Sequence, residues 1–176
     1  MKYVVDACNL IFTHTPLEET LENYGFQSAR AMLVRMLSGF AHSENLDEVT
    51  AVFDGSEKGA HRPRRQREAA GKVVLIYADP RTDADNFIIE MVEDAKSPGE
   101  FTVVSNDKFI IRHIQKAGAH SLSCSGFLRK LRASAHRASD PLKGEDPRKY
   151  NGLSAREVEE WSKIFGIDEH GNWKTT

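Results

Sequence analysis

Apolar positions occur in two kinds of run along the chain. Lys2–Asp6 (KYVVD), Glu48–Asp54 (EVTAVFD), Lys72–Ala78 (KVVLIYA) and Phe101–Ser105 (FTVVS) are short, continuous and β-rich, and predict four buried strands. Between them the spacing turns helical. Gln27–His42 puts Met32, Leu33, Met36, Leu37 and Phe40 on one face, and Ala84–Lys96 does the same with Phe87, Ile88, Met91 and Val92. Asp107–Ala117 turns Phe109, Ile110, Ile111 and Ile114 inward, with Gly118 as its stop. His120–Ser123 predicts a short fifth strand, and Ser125–Arg137 a basic amphipathic helix. Residues 55–71, rich in Gly, Arg and Ala, show no apolar period and predict a loop with at most a short helix. Strands alternating with helices predict an α/β fold, a doubly wound and mainly parallel sheet.

This pattern ends near residue 138. Residues 139–153 (SDPLKGEDPRKYNGL) have the Pro, Gly and charge content of a linker. Ser154-Ala155-Arg156-Glu157 is a capping box that opens a last helix carrying Val158, Trp161, Ile164 and Phe165, closed by Gly166. The organisation is thus 1–138 as one domain, 139–153 as linker and 154–176 as C-terminal helix and tail. Within 176 residues, 40% hydrophobic and 28% charged content excludes a disordered chain. No apolar run approaches the roughly 20 residues that span a bilayer. Asp6 interrupts the N-terminal run too early for a signal-peptide core. Cys8 and Cys124 lie too far apart for a CxxC site and form no disulfide framework, so a reducing, cytoplasmic location is expected.

The net charge of −2 argues at first against a nucleic-acid partner. Position changes that inference. From Lys108 to Ser139 there are seven Lys/Arg (Lys108, Arg112, Lys116, Arg129, Lys130, Arg132 and Arg137) and no acid, which leaves the rest of the chain at −9. A second basic knot, Arg62, Arg64, Arg65 and Arg67, sits inside that acidic remainder. A single charge run is ordinarily a solvated face. Two of them beside an acidic cluster suit phosphate, because guanidinium groups pair phosphate oxygens bidentately.

The acids fall at strand ends. Asp6 closes the first strand and Asp54 the second, Asp79, Asp83 and Asp85 follow the third, and Asp107 follows the fourth. Parallel strands share one carboxyl edge, where open α/β sheets bind their ligands. Carboxylates gathered there repel one another unless a cation neutralises them, and hard oxygen donors suit Mg²⁺ or Mn²⁺. Each acid also has a local reading. Asp83 or Asp85 suits a helix first turn, Asp107 an N-cap, and Asp54-Gly55 and Asp79-Pro80 suit turns.

Four segments in order carry a resemblance: Val5-Asp6-Ala7-Cys8-Asn9-Leu10, Val52-Phe53-Asp54-Gly55, Ala84-Asp85-Asn86-Phe87-Ile88 and Val103-Val104-Ser105-Asn106-Asp107. With Ser125-Gly126-Phe127-Leu128 opening the basic helix, they resemble the NYN branch of the PIN-like nucleases over about residues 3–137. The set is most similar to the YacP-like group of ribosome-associated endoribonucleases. The resemblance implies a PIN-like α/β/α sandwich and divalent-metal-dependent cleavage of single-stranded RNA, with messenger RNA at the ribosome as the substrate. It implies Asp6, Asp54, Asp85 and Asp107 as catalytic metal ligands for Mg²⁺ or Mn²⁺, Asn9 as support for the first acid, and Ser105 as a hydroxyl beside the last. Metal-activated water would attack phosphorus in line, leaving a 5′-phosphate and a 3′-hydroxyl. Arg62, Arg64, Arg65 and Arg67 would clamp the RNA backbone, with Lys108, Arg112, Arg129 and Arg132 along the other wall. Many relatives have Gly-Tyr where this chain has Ala7-Cys8, so their substrate preference does not carry over. Asp83, where relatives often have Thr, is an extra acid.

Other classes fit less well. A non-catalytic RNA- or ribosome-binding module would share the basic features, its acids serving only as caps. A histidine-based ribonuclease needs two paired imidazoles, and nothing in the spacing of His113, His120 and His136 forces a pair. A phosphoacceptor receiver needs a Lys after the fifth strand, where the chain has none before Ser125. No GxSxG supports a serine hydrolase.

Overall fold

The structure, a computed structural model, describes residues 1–54, 66–78 and 84–138. Arg62, Arg64, Arg65, Asp79, Asp83, the linker and the C-terminal helix lie outside the described residues. Residues Met1–Ala135 form one compact unit.

Among the described residues six strands make one sheet: β1 (Lys2–Asp6), β2 (Val49–Phe53), β3 (Gln66–Ala70), β4 (Val73–Tyr77), β5 (Phe101–Val104) and β6 (His120–Leu122). Their order is β3-β4-β2-β1-β5-β6. Every neighbouring pair is parallel except β3–β4, which is antiparallel. The helices are α1 (Ala7–Thr13), α2 (Thr15–Tyr24), α3 (Phe26–Ser43), α4 (Ala84–Glu93), α5 (Lys108–Lys116) and α6 (Cys124–Ala138). The expected α/β architecture, a mostly parallel sheet flanked by helices, is thus observed.

Three elements depart from the sequence pattern. The segment read as a loop holds β3, a strand that turns into β4 at Gly71, whose φ of +61° is the left-handed conformation glycine tolerates. α1 and α2 fill the stretch between β1 and α3 that the apolar spacing left unassigned. α1 follows β1 without a break because the Asp6 carboxylate caps it.

Side chains alternate between two cores. Val4, Val52, Val74, Ile76 and Val103 face Phe87, Ile88 and Val92 of α4 and Ile110 and Ile114 of α5. On the opposite face Tyr3 meets Phe40 of α3 edge-on at 5.1 Å, and Phe127 of α6 packs 5.1 Å from Phe40. Phe53 stacks on Tyr77 at 5.4 Å and meets Phe26 edge-on at 5.5 Å. The fully buried rings of Phe40, Phe53 and Phe127 each contribute about 1.5–3 kcal/mol by burial. Arg30 of α3 hydrogen-bonds the Tyr77 hydroxyl and pairs with Glu68 of β3 at 2.6 Å, tying the antiparallel edge to the helix layer.

The chain winds outward from β1 in two directions, through β2 and β4 on one side and through β5 and β6 on the other. The connections after β1 and β5 leave toward opposite faces of the sheet. A crevice therefore opens at the carboxyl ends of β1 and β5, the point where such sheets bind ligands.

Candidate active site at the β1–β5 switch point

Asp6 stands at that crevice as the last residue of β1 and is only 5% exposed. One carboxylate oxygen accepts the Asn9 N–H at 3.1 Å, and the other accepts the Ser105 hydroxyl at 2.9 Å. Ser105 follows β5, is fully buried, and its Oγ accepts the Asp107 N–H at 3.0 Å. Asp107 then caps α5, its Oδ1 accepting the Phe109 N–H at 2.6 Å. One hydroxyl thus spans the two acids, donating to the first and fixing the backbone of the second. Burial pushes the Asp6 carboxyl above its ordinary 3.8; the Asn9 and Ser105 donors oppose this, and the nearby Asp107 charge adds to it.

A second layer of short polar side chains holds this loop. The Asn9 Oδ1 accepts the Asn106 N–H at 3.4 Å and the Cys124 thiol at 3.5 Å. Asn106 donates from Nδ2 to Thr13 Oγ1 at 3.2 Å, and its Oδ1 accepts the Cys124 N–H at 3.0 Å. Asn106 therefore joins the β5 loop to α1 and to the start of α6, a role the sequence reading did not assign. The only available signal was its place between Ser105 and Asp107. Gly126 lets α6 begin close against β6, since a Cβ there would lie 3.0 Å from a Leu122 methyl. Burial raises the Cys124 thiol to about 11, so it stays protonated and is no nucleophile at neutral pH.

Asp54, just past β2, and Asp85, in the first turn of α4, share the carboxyl edge and are half-buried. Among the described residues no three His, Cys, Asp or Glu side chains gather closely enough to hold a metal ion. The structure thus brings together Asp6 and Asp107, but not the four expected carboxylates. Asp6 and Asp107 each accept a backbone N–H as helix caps, which fixes where those oxygens point. The pair still fits a hydrated divalent ion. Mg²⁺ takes one or two carboxylates and keeps several waters. Two acids close enough for one to raise the other's pKa are relieved by a cation.

Lys108 and Arg112 lie exposed on α5 directly after Asp107, and Arg129 and Arg132 lie exposed on α6. Burial, and after it the Arg132 charge, hold His14, at the α1–α2 junction, below its ordinary 6.5. Arg67 sits apart from these, on β3, paired with Glu48 at 3.1 Å. No helix among the described residues is long and apolar enough to cross a membrane.

The sheet is that of an α/β domain, and the sequence places that domain in the NYN class, a nuclease family. The YacP-like NYN domain matches residues 3–166, and the chain belongs to that family. The crystal structure of Rae1 (YacP) from Bacillus subtilis is similar with a TM-score of 0.65 at 19% identity, over 94% of this chain and 93% of that one. A point mutant of the same Bacillus subtilis protein gives 0.64 at 22% identity, over 93% and 92%. That likeness establishes the shared fold. No curated protein sequence matches the chain.

Proposed function

We propose that this protein is a divalent-metal-dependent endoribonuclease that cleaves single-stranded RNA, with messenger RNA at the ribosome as its substrate. The observation that carries the reading is the Asp6–Ser105–Asp107 arrangement at the crevice of a sheet whose family is one of nucleases. Asp6 and Asp107 would hold a hydrated Mg²⁺ or Mn²⁺, with Asp54 and Asp85 as further ligands or water-positioning groups. When bound, such an ion lowers the pKa of a coordinated water and offsets charge developing on a phosphodiester.

The protein's own contribution is placement. Ser105 and the Asn9 N–H keep the Asp6 oxygens from rotating, and Asn9 with Asn106 braces the loop that carries Asp107. Lys108 and Arg112, with Arg129 and Arg132, supply cations for RNA phosphates, which position the strand without reading its sequence. Arg62, Arg64, Arg65 and Arg67 belong to the same proposal as a clamp on the backbone. In Arg67 the exposed Glu48 pair is weak enough for phosphate to displace.

The test is cleavage of single-stranded RNA with Mg²⁺ or Mn²⁺ and with chelator. Wild-type protein should leave 5′-phosphate and 3′-hydroxyl ends, and the double variant Asp6→Asn/Asp107→Asn should be inactive. Full activity in that variant overturns the reading. A second reading, a non-catalytic RNA-binding module of the same fold, is favoured by the capping roles of both acids. It requires that Mn²⁺ leave the melting temperature unchanged.

A further inference from the structure

Phe109 is not where the helical pattern predicted. Its neighbours Ile110 and Ile114 are buried against the sheet, but Phe109 is 50% exposed. On α5 it shares a face with Lys108, Arg112, His113 and Lys116, at positions i, i+1, i+4, i+5 and i+8 of one helix. His113 lies against the Phe109 ring, centroids 4.4 Å apart, and its Nδ1 hydrogen-bonds the Phe109 carbonyl at 2.9 Å. A carbonyl only accepts, so Nδ1 carries the hydrogen and the imidazole plane is fixed beside the phenyl ring. The backbone N–H of Phe109 is the one that Asp107 accepts, which ties this ring pair to the acid site.

We propose that Phe109, braced by the His113 ring tilted 53° against it, forms a stacking platform for one unpaired RNA base beside the acid pair, with Lys108 and Arg112 holding the flanking phosphates. The proposal rests on the RNA-cleavage reading and deepens it by explaining why a single strand is the substrate. An exposed aromatic among cations, in a stretch with seven bases and no acid, has the composition of single-strand binding surfaces. Stacking needs an accessible base face. Duplex RNA hides its faces, so it can use the cations but not the ring.

Binding of a fluorescein-labelled single-stranded RNA and of a blunt duplex RNA to the full chain, in chelator so that nothing is cut, tests this. Phe109→Ala should weaken single-strand binding by about tenfold. Phe109→Trp should restore it, and duplex binding should move less than twofold in either variant. With metal present, Phe109→Ala should raise KM and spare kcat. Phe109 is surface-exposed, so equal melting temperatures certify that the variants fold.

Unchanged single-strand affinity in Phe109→Ala, or failure of Phe109→Trp to restore it, overturns the platform while leaving the nuclease reading intact if wild type cleaves. A Phe109-dependent single-strand complex in a protein that cleaves neither free RNA nor messenger RNA on ribosomes supports the platform and overturns the nuclease reading. Wild-type protein that binds no RNA overturns both.

Discussion

The two flanks of β1 are built by different means. Toward β5 and β6, the contacts at the carboxyl edge are hydrogen bonds among short polar groups, Asp6, Asn9, Ser105, Asn106, Asp107 and Cys124. Toward β2, β4 and β3, the corresponding edge is held by the Phe53–Tyr77 stack and by the Arg30 contacts to Tyr77 and Glu68. Aromatic packing tolerates small shifts and contributes mainly free energy. A hydroxyl shared by two acids fixes angles and contributes little net energy while one acid is buried. Within one sheet, positioning and stability are thus assigned to opposite sides of the same strand.

If that division holds, its largest effect appears in Ser105→Ala. Removing the hydroxyl leaves one Asp6 oxygen without its donor and the Asp107 N–H without its acceptor. RNA cleavage should fall by about 10–100-fold, the usual cost of losing the group that orients a ligand, with little change in RNA affinity. Steady-state kinetics against binding anisotropy would separate the two. A next smaller effect belongs to the other flank. Arg30→Ala should lower stability by about 1 kcal/mol, a few degrees in Tm by calorimetry, and leave kcat within twofold. Loss of cleavage in Arg30→Ala at normal Tm would break the comparison.

The smallest effect concerns the sign of a stability change. The folded-state pKa of Asp6 is raised, so its contribution favours the folded state when protonated, and this is lost as pH rises through the raised value. At neutral pH and without metal, Asp6→Asn should therefore melt slightly above wild type, with the gap closing as pH falls toward 3.8. Mn²⁺ should raise the Tm of wild type and not of the variant. Thermal melts from pH 4 to 8 in chelator, then with Mn²⁺, would show both.

The same contrast explains what the sequence disclosed. β1, β2, β4 and β5 were legible because strands buried on both faces read as unbroken apolar runs. β3, QREAA, lies at the sheet edge with Arg67, Glu68 and Ala69 exposed, so burial imposes no pattern on it. α2 buries only Leu17 and Thr20, too few for a visible stripe. Apolar spacing alone places Phe109 in the core, because it does not register the charged neighbours that share the ring's exposed face. Asp6 and Asp107 stand out in the sequence by their strand ends, whereas Ser105 is singled out only by the family resemblance. Asn106 was not, because a brace among polar groups has no periodicity, and its partners Thr13 and Cys124 come from distant segments.

The bond from Ser105 to Asp6 joins residues 99 positions apart, between two strands that are neighbours in space. Closing so long a loop costs conformational entropy before any contact repays it. β1, β2 and β4 pair with one another on the side of β1 away from β5. During synthesis the β1–β2–β4 half emerges first, and the acids stay apart until β5 docks. A chain caught short of that step carries Asp6 without its Ser105 donor and without Asp107 beside it.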